Sequence, residues 1–360
     1  MEKVLLQLIR LGIGHSAVNT SEPIDLIKIK AVAERQGLSA VVLDGLERLR
    51  KMQPDVIGSG LQNKIMLAQW IGEVHQNFEL RYKSYKQAIG ELAAFYNQHG
   101  YKMMVLKGYA CSLDWPRPEH RPCGDIDIWQ FGQYKEADGI LSKEKGIEID
   151  NSHHHHTIFN WGGFMIENHY DFINVHHHKS HLEFEKILKE LGKDDTHYVE
   201  VKNEKVYLPS PNLHALFTIK HLTLHFTTVE FSLRQLLDWG FFVEKHGKDV
   251  DWEWLHKVLE DNGMKTIYGI FNAICVEDLG FNATLFSYVQ YNPGLKQRVL
   301  DDVFDIVYGS EFPKRLLPRM MFRLQHWRAN GWKHKLCYEE SMWSSFWSGI
   351  WAHLLKPSSI

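Results

Sequence analysis

The sequence predicts an α+β protein, with a short strand-bearing segment set between two helical stretches. Three observations carry that prediction. Residues 1–95 and 211–360 place apolar side chains at helical spacing. Residues 96–210 hold short apolar and β-branched runs cut by turn residues. Pro209-Ser210-Pro211-Asn212 then makes the sharpest boundary in the chain. The expected organisation is an N-terminal helical region at 1–95, a core at 96–210 and a C-terminal helical domain at 211–360.

In chain order, Val4-Leu5-Leu8-Ile9 and Val32-Ala33-Leu38 recur at helix spacing, and a longer pattern runs over 64–95. Gly100 fits its stop. Lys102–Leu106 reads as a strand ending at Lys107-Gly108, with a short helix over Tyr109–Leu113. Three prolines make 115–122 a loop. Cys123–Trp129 reads as a strand and Tyr134–Lys143 as a helix. His153–Asn160 and Phe164–Phe172 read as strands joined by Trp161-Gly162-Gly163, a hairpin signal. Lys202–Lys205 is a polar turn before a last strand, Val206–Leu208. Helices follow at Leu213–Thr227, Phe231–Lys245, Trp252–Asn262 and Lys265–Leu279, with more toward the C-terminus.

A chain of 360 residues has room for two or three cores. The net charge of -3 argues against a surface built throughout to embrace nucleic acid. Four cysteines without a CxxC pair, and a start (Met1-Glu2-Lys3) unlike a signal peptide, lead us to expect reduced thiols and a cytoplasmic location. No apolar run is long enough to span a membrane.

Chemistry concentrates in Gly124-Asp125-Ile126-Asp127-Ile128. In a strand, Asp125 and Asp127 project from one face while Ile126 and Ile128 enter the core behind them. Carboxylates this close repel unless a cation lies between them, and Mg²⁺ is the hard divalent cation that suits such oxygens. If Gly162-Gly163 is a two-residue hairpin loop, 158 pairs with 167 and 156 with 169. Glu167, His169 and Asp171 then share a face beside His154 and His156. Three carboxylates from neighbouring strands suffice for two Mg²⁺ ions, with Mn²⁺ as a substitute, in phosphoryl transfer. Lys107, the Gly108 amide and Arg121 are candidates to hold phosphates, with Gly124 beside them.

Leu106-Lys107-Gly108, Arg121-x-x-Gly124-Asp125-Ile126-Asp127-Ile128, Ile166-Glu167-x-His169 and His221-Leu222-x-x-His225 together resemble a bacterial group of uncharacterised nucleotidyltransferases. So does the following Leu233-Arg234-x-Leu236-Leu237-Asp238. That group lies within the DNA polymerase β-like superfamily. The resemblance covers roughly 100–260. It implies a small mixed sheet flanked by helices, with Asp125, Asp127 and Glu167 as catalytic metal ligands. It also implies transfer of a nucleoside monophosphate from an NTP, ATP first, to a hydroxyl acceptor with release of pyrophosphate. The acceptor expected is a small molecule, sugar or protein ahead of nucleic acid. Two other functions stand beside this one: a non-catalytic nucleotide- or metal-binding module, and an RNA-modifying transferase.

The remaining signals have plainer expectations. His169 is expected to hydrogen-bond a carboxylate from behind. The runs His153–His156 and His176–His178 are expected to be a polar strand and loop that bind Ni²⁺ or Zn²⁺ adventitiously. His221 and His225 should join Arg234 and Asp238 in a polar network orienting the helical domain. Basic residues at 314–335, with Arg315, Arg319 and Arg323 on one helix face, are expected to be solvated. The aromatic stripe Trp343, Phe346, Trp347, Ile350, Trp351, Leu354, Leu355 is expected to be core or an oligomer contact, with peripheral membrane contact a lesser alternative.

Overall fold

A computed structural model describes residues 1–16, 24–58, 60–176, 178, 180–227, 231–305, 313, 315–345 and 347. The N-terminal helices are α1 (Glu2–Gly12), α2 (Leu26–Arg35), α3 (Ser39–Met52), α4 (Leu61–Val74) and α5 (Arg81–Gln98). A π-helical turn, His75–Leu80, joins α4 to α5, so the apolar pattern expected over 64–95 is one long helix with a wide turn in its middle.

The central segment runs β1 (Met104–Val105), α6 (Lys107–Ser112), β2 (Ile126–Trp129), α7 (Tyr134–Lys145), β3 (His156–Trp161), β4 (Phe164–His169), α8 (Ser180–Leu191), β5 (Tyr198–Val201) and β6 (Glu204–Tyr207). The strands form one mixed six-stranded sheet of order β3-β4-β2-β1-β6-β5, with β2/β4 and β1/β6 parallel and the other pairs antiparallel. This is the α+β architecture the sequence predicts. The Gly162-Gly163 turn, both at positive φ, sets the β3–β4 register: Ile158 faces Glu167 and His156 faces His169, as the two-residue loop requires. Two elements had no counterpart in the sequence reading. They are α8 and the edge strand β5, which pairs with β6 across Lys202-Asn203.

The C-terminal helices are α9 (Pro211–Thr227), α10 (Leu233–His246), α11 (Trp252–Asp261), α12 (Lys265–Ala273), α13 (Pro293–Phe304), α14 (Leu316–Ala329) and α15 (Gly331–Cys337). A capping box between Ser232 and Gln235 starts α10. Asp251 caps α11 through the Trp254 amide.

The alternation of side chains divides the core in two. Val105, Ile126, Ile128 and Ile166 pack on one sheet face beneath α5 and α7. Met104, Trp129 and Tyr207 lie on the other face, in a core that continues through α8, α9 and α10 into α1–α3. The N-terminal and C-terminal helices thus share one apolar interior. Buried Gln36 ties them, donating to the Val303 carbonyl and accepting from the Leu233 amide, each at 2.8 Å.

Among the described residues no helix is long and apolar enough to cross a membrane. Arg315, Arg319 and Arg328 are exposed, but Lys333 is buried against Asp302 at 2.6 Å. Trp343 and Trp347 are 58% and 57% exposed, so the expectation of core fails for them. Phe346, Ile350, Trp351, Leu354 and Leu355 lie outside the described residues, as does Lys314.

Candidate active site

The site lies on the sheet face beneath α9 and α10. Ile126 and Ile128 anchor β2 in the opposite core, which turns Asp125 and Asp127 the other way. Parallel pairing sets Asp127 level with Glu167, and Trp129 level with His169. The predicted carboxylates therefore sit together, one layer apart along the strands.

Lys107 opens α6 with φ 39°, a left-handed conformation that costs a non-glycine residue about 1–2 kcal/mol. Its Nζ donates to Asp127 Oδ1 at 2.6 Å and lies 5.6 Å from the Phe217 ring of α9. His169 Nε2 is 2.9 Å from the same oxygen, and its Nδ1 is 3.1 Å from the Asp171 carbonyl. Burial opposes the charge of Asp127, yet Lys107 and His169 hold its carboxyl well below the ordinary range. Burial likewise opposes the charge of His169, but its hydrogen bond to Asp127 and the nearby Glu167 carboxylate raise its pKa. Asp125 has no cation paired with it among the described residues. Burial, with Asp127 and Glu167 nearby, pushes it up to about 6. The site thus holds more negative charge than its lysine and histidine balance, and it is lined with oxygen donors. That is the environment a divalent cation completes.

Gly108 is required by its neighbours, since a Cβ there would lie 2.6 Å from Tyr85 Oη. Tyr85, fully buried, donates that hydroxyl to the Asp125 carbonyl at 2.8 Å. Gly124 is different: it is exposed, and nothing lies within 4 Å of an added Cβ. Its lack of a side chain leaves open space beside Asp125.

Arg121 is already paired, with its Nη1 3.8 Å from where a Cβ on Gly108 would lie. Its Nε and Nη2 donate to both oxygens of Asp238 at 2.8 and 2.9 Å, both residues being buried. Trp115 Nε1 adds 2.8 Å to Asp238, and His120 and Arg117 bind Asp44 and Glu79. The proline-rich loop is latched at both ends, and Arg121 is one of its anchors. The expected network of His221, His225, Arg234 and Asp238 also differs, because Arg121 occupies Asp238. Arg234 makes no ion pair among the described residues. Its stem passes Gly37, whose added Cβ would lie 3.3 Å from Arg234 Cδ. Burial and the charge of Arg121 lower its pKa, while Asp238 and Asp125 work the other way. His221 and His225 stack edge to face at 4.3 Å on α9. Burial, His225 and Lys107 keep His221 neutral, well below its ordinary range.

Asp171 and His154 leave the acid row. Asp171 is ion-paired with Lys189 of α8, and the His154 ring lies 4.9 Å from His176. Both stand beyond the strand ends, where the alternation that placed them no longer holds. Arg234 stands four residues before Asp238 on α10, but Asp238 is taken by Arg121, 117 positions before it.

No curated protein matches the chain. The crystal structure of an antigenic nucleotidyltransferase-like protein from Paracoccidioides brasiliensis overlaps 50% of this chain and 87% of its own, at 14% identity and a TM-score of 0.34. The family described as uncharacterised nucleotidyltransferase matches residues 22–280, which take in α2 through α12, the whole sheet and every residue of the acid row. The chain belongs to this family of uncharacterised nucleotidyltransferases.

Proposed function

We propose that the protein transfers a nucleoside monophosphate from an NTP, ATP first, to a hydroxyl acceptor, as a member of the DNA polymerase β-like superfamily. One observation carries the reading: Asp127 lies level with Glu167 in a parallel strand pair, with Asp125 two residues before it on the same face. Bound there, Mg²⁺ or Mn²⁺ would supply charge neutralisation for the triphosphate and acidify the acceptor hydroxyl. The donor set fits, with three carboxylates of which Asp125 lacks a protein cation.

The chain's own residues position the reactants. Lys107 offers an ammonium beside Asp127 that can turn to a phosphate. Arg234 is the second phosphate cation, in place of Arg121. The acceptor oxygen bonds to the α-phosphorus, the bond to the pyrophosphate oxygen breaks, and the acceptor proton passes to Glu167. His169, 3.6 Å away, keeps that carboxylate ionised although burial opposes it, since the ion pair between the two lowers the Glu167 pKa. Positioning and charge supply most of the rate in such transfers. The acceptor is a small molecule, sugar or protein, and the location is the cytoplasm.

The test is incubation with each α-labelled NTP and Mg²⁺. Pyrophosphate release that Asp125→Asn/Asp127→Asn loses supports the reading. Nucleotide binding without release would favour a non-catalytic module, a reading to which the self-neutralised Lys107–Asp127 pair lends weight. RNA binding with steep salt dependence would bring in the exposed Arg315, Arg319 and Arg328.

A further inference from the structure

The acid row does not end at Glu167. Along the paired strands it runs from Asp125 to Asp127 with Glu167, then to His169 with His156 opposite it. His156 is 6% exposed, its Nδ1 has no hydrogen-bond partner among the described residues, and that atom lies 3.7 Å from Glu167 Oε2. His169, 1% exposed, brings Nε2 to 2.9 Å from Asp127 Oδ1 and 3.6 Å from Glu167 Oε2. A third imidazole, His155, has its ring 4.2 Å from His156 and 5.6 Å from His169, and its buried Nδ1 also has no hydrogen-bond partner among the described residues. The nitrogens of His155, His156 and His169 lie within 4.8 Å of one another, as do the ligand atoms of Asp127, Glu167 and His169. His169 is the corner the two trios share.

The tautomer of His169 fits that corner. A carbonyl only accepts, so Nδ1 facing the Asp171 carbonyl carries a proton. Nε2 is then the nitrogen that can give a lone pair to a cation, and a backbone carbonyl behind a ligating histidine is the usual way such rings are oriented. In the cation-free protein Nε2 holds a proton shared toward Asp127, and a metal entering there releases it.

We propose that this end of the row is a metal position distinct in chemistry from the Asp125 end. It takes a divalent transition cation of the Zn²⁺ or Co²⁺ kind, held by His156, His169 and Glu167, with Asp127 shared and His155 within reach. Imidazole nitrogens suit these cations, whereas Mg²⁺ favours oxygen and water. The inference deepens the proposed function, because it shares Asp127 and Glu167 with it, but the metal can be seen without any turnover.

The experiment titrates Co²⁺ into the full chain, stripped with chelator and purified without nickel, in millimolar Mg²⁺. Visible absorption and calorimetry are read together. One equivalent of Co²⁺ with d–d bands is expected, persisting in the Mg²⁺. His156→Ala or His155→Ala should each weaken it about tenfold or more. Asp125→Asn and the surface variant His153→Asn/His154→Asn/His176→Asn should leave the bands in place. Equal binding in the His155 and His156 variants, loss in the surface variant, or displacement by Mg²⁺ overturns the proposal. Should His156→Ala not fold, His156→Gln decides in the same titration. Weakened Co²⁺ binding in that variant supports the site, and unchanged binding refutes it. A Co²⁺ site without any NTP response would refute the nucleotidyl-transfer reading alone. NTP turnover without an imidazole-bound metal would refute this inference alone.

Discussion

Asp125→Asn should make the metal-free protein more stable, although it removes a residue the reaction needs. The folded carboxyl moves from 3.8 to about 6, through burial first and then the charges of Asp127 and Glu167. At about 1.4 kcal/mol per pH unit, keeping it ionised costs the fold about 3 kcal/mol. Solvent screening at this half-buried position trims that to about 1–3 kcal/mol. The sign follows from proton binding. The folded state holds the proton to higher pH, so the cost is absent below about pH 4, grows between about 4 and 6, and is complete above that. Urea unfolding in chelator at pH 4 and pH 7.5 measures it. The variant should match the wild type at the lower pH and exceed it at the higher. Saturating Mg²⁺ should reverse the order, since the bound cation stabilises the native state of the parent. A variant no more stable than the parent at pH 7.5 would refute the argument that the acids repel one another in an unfilled site.

Other substitutions separate scaffold from chemistry. Asp238→Asn strands the buried Arg121 charge and should cost about 3–5 kcal/mol in chemical denaturation. Arg234→Gln should leave the melting temperature nearly unchanged and raise the KM for NTP about tenfold or more, as expected for loss of a charged phosphate contact; a large drop in melting temperature with unchanged KM would make it structural. Gly108→Ala drives a methyl against Tyr85 Oη and should cost about 1–3 kcal/mol. Adding Tyr85→Phe should recover part of that, a coupling read from a double-mutant cycle.

What the sequence disclosed depended on how local the cause was. The β3–β4 register followed from two glycines, and the outward turn of Asp125 and Asp127 from the isoleucines between them. These are period-two effects within a few residues. Strand lengths were overestimated, since β1 keeps two residues and β4 stops at His169 before Asp171 turns to Lys189. Phe184, Ile187, Leu188 and Leu191 carried a helical signal for α8 that the histidine-rich stretch before it obscured. The roles of Arg121 and Arg234 were beyond local reading, because both depend on which arginine reaches Asp238 across more than a hundred residues.

The shared interior of the two helical stretches bears on synthesis. His15 bonds the Leu279 carbonyl, and Gln36 reaches Val303. An emerging chain therefore presents the apolar faces of α1–α3 to water, or to a chaperone, until segments some 260 residues later leave the ribosome. The sheet and its acids are complete well before that. A nascent chain would thus display its charged row before α9 and α10 wall it into a cleft, and the cleft would stand before its N-terminal helices are covered.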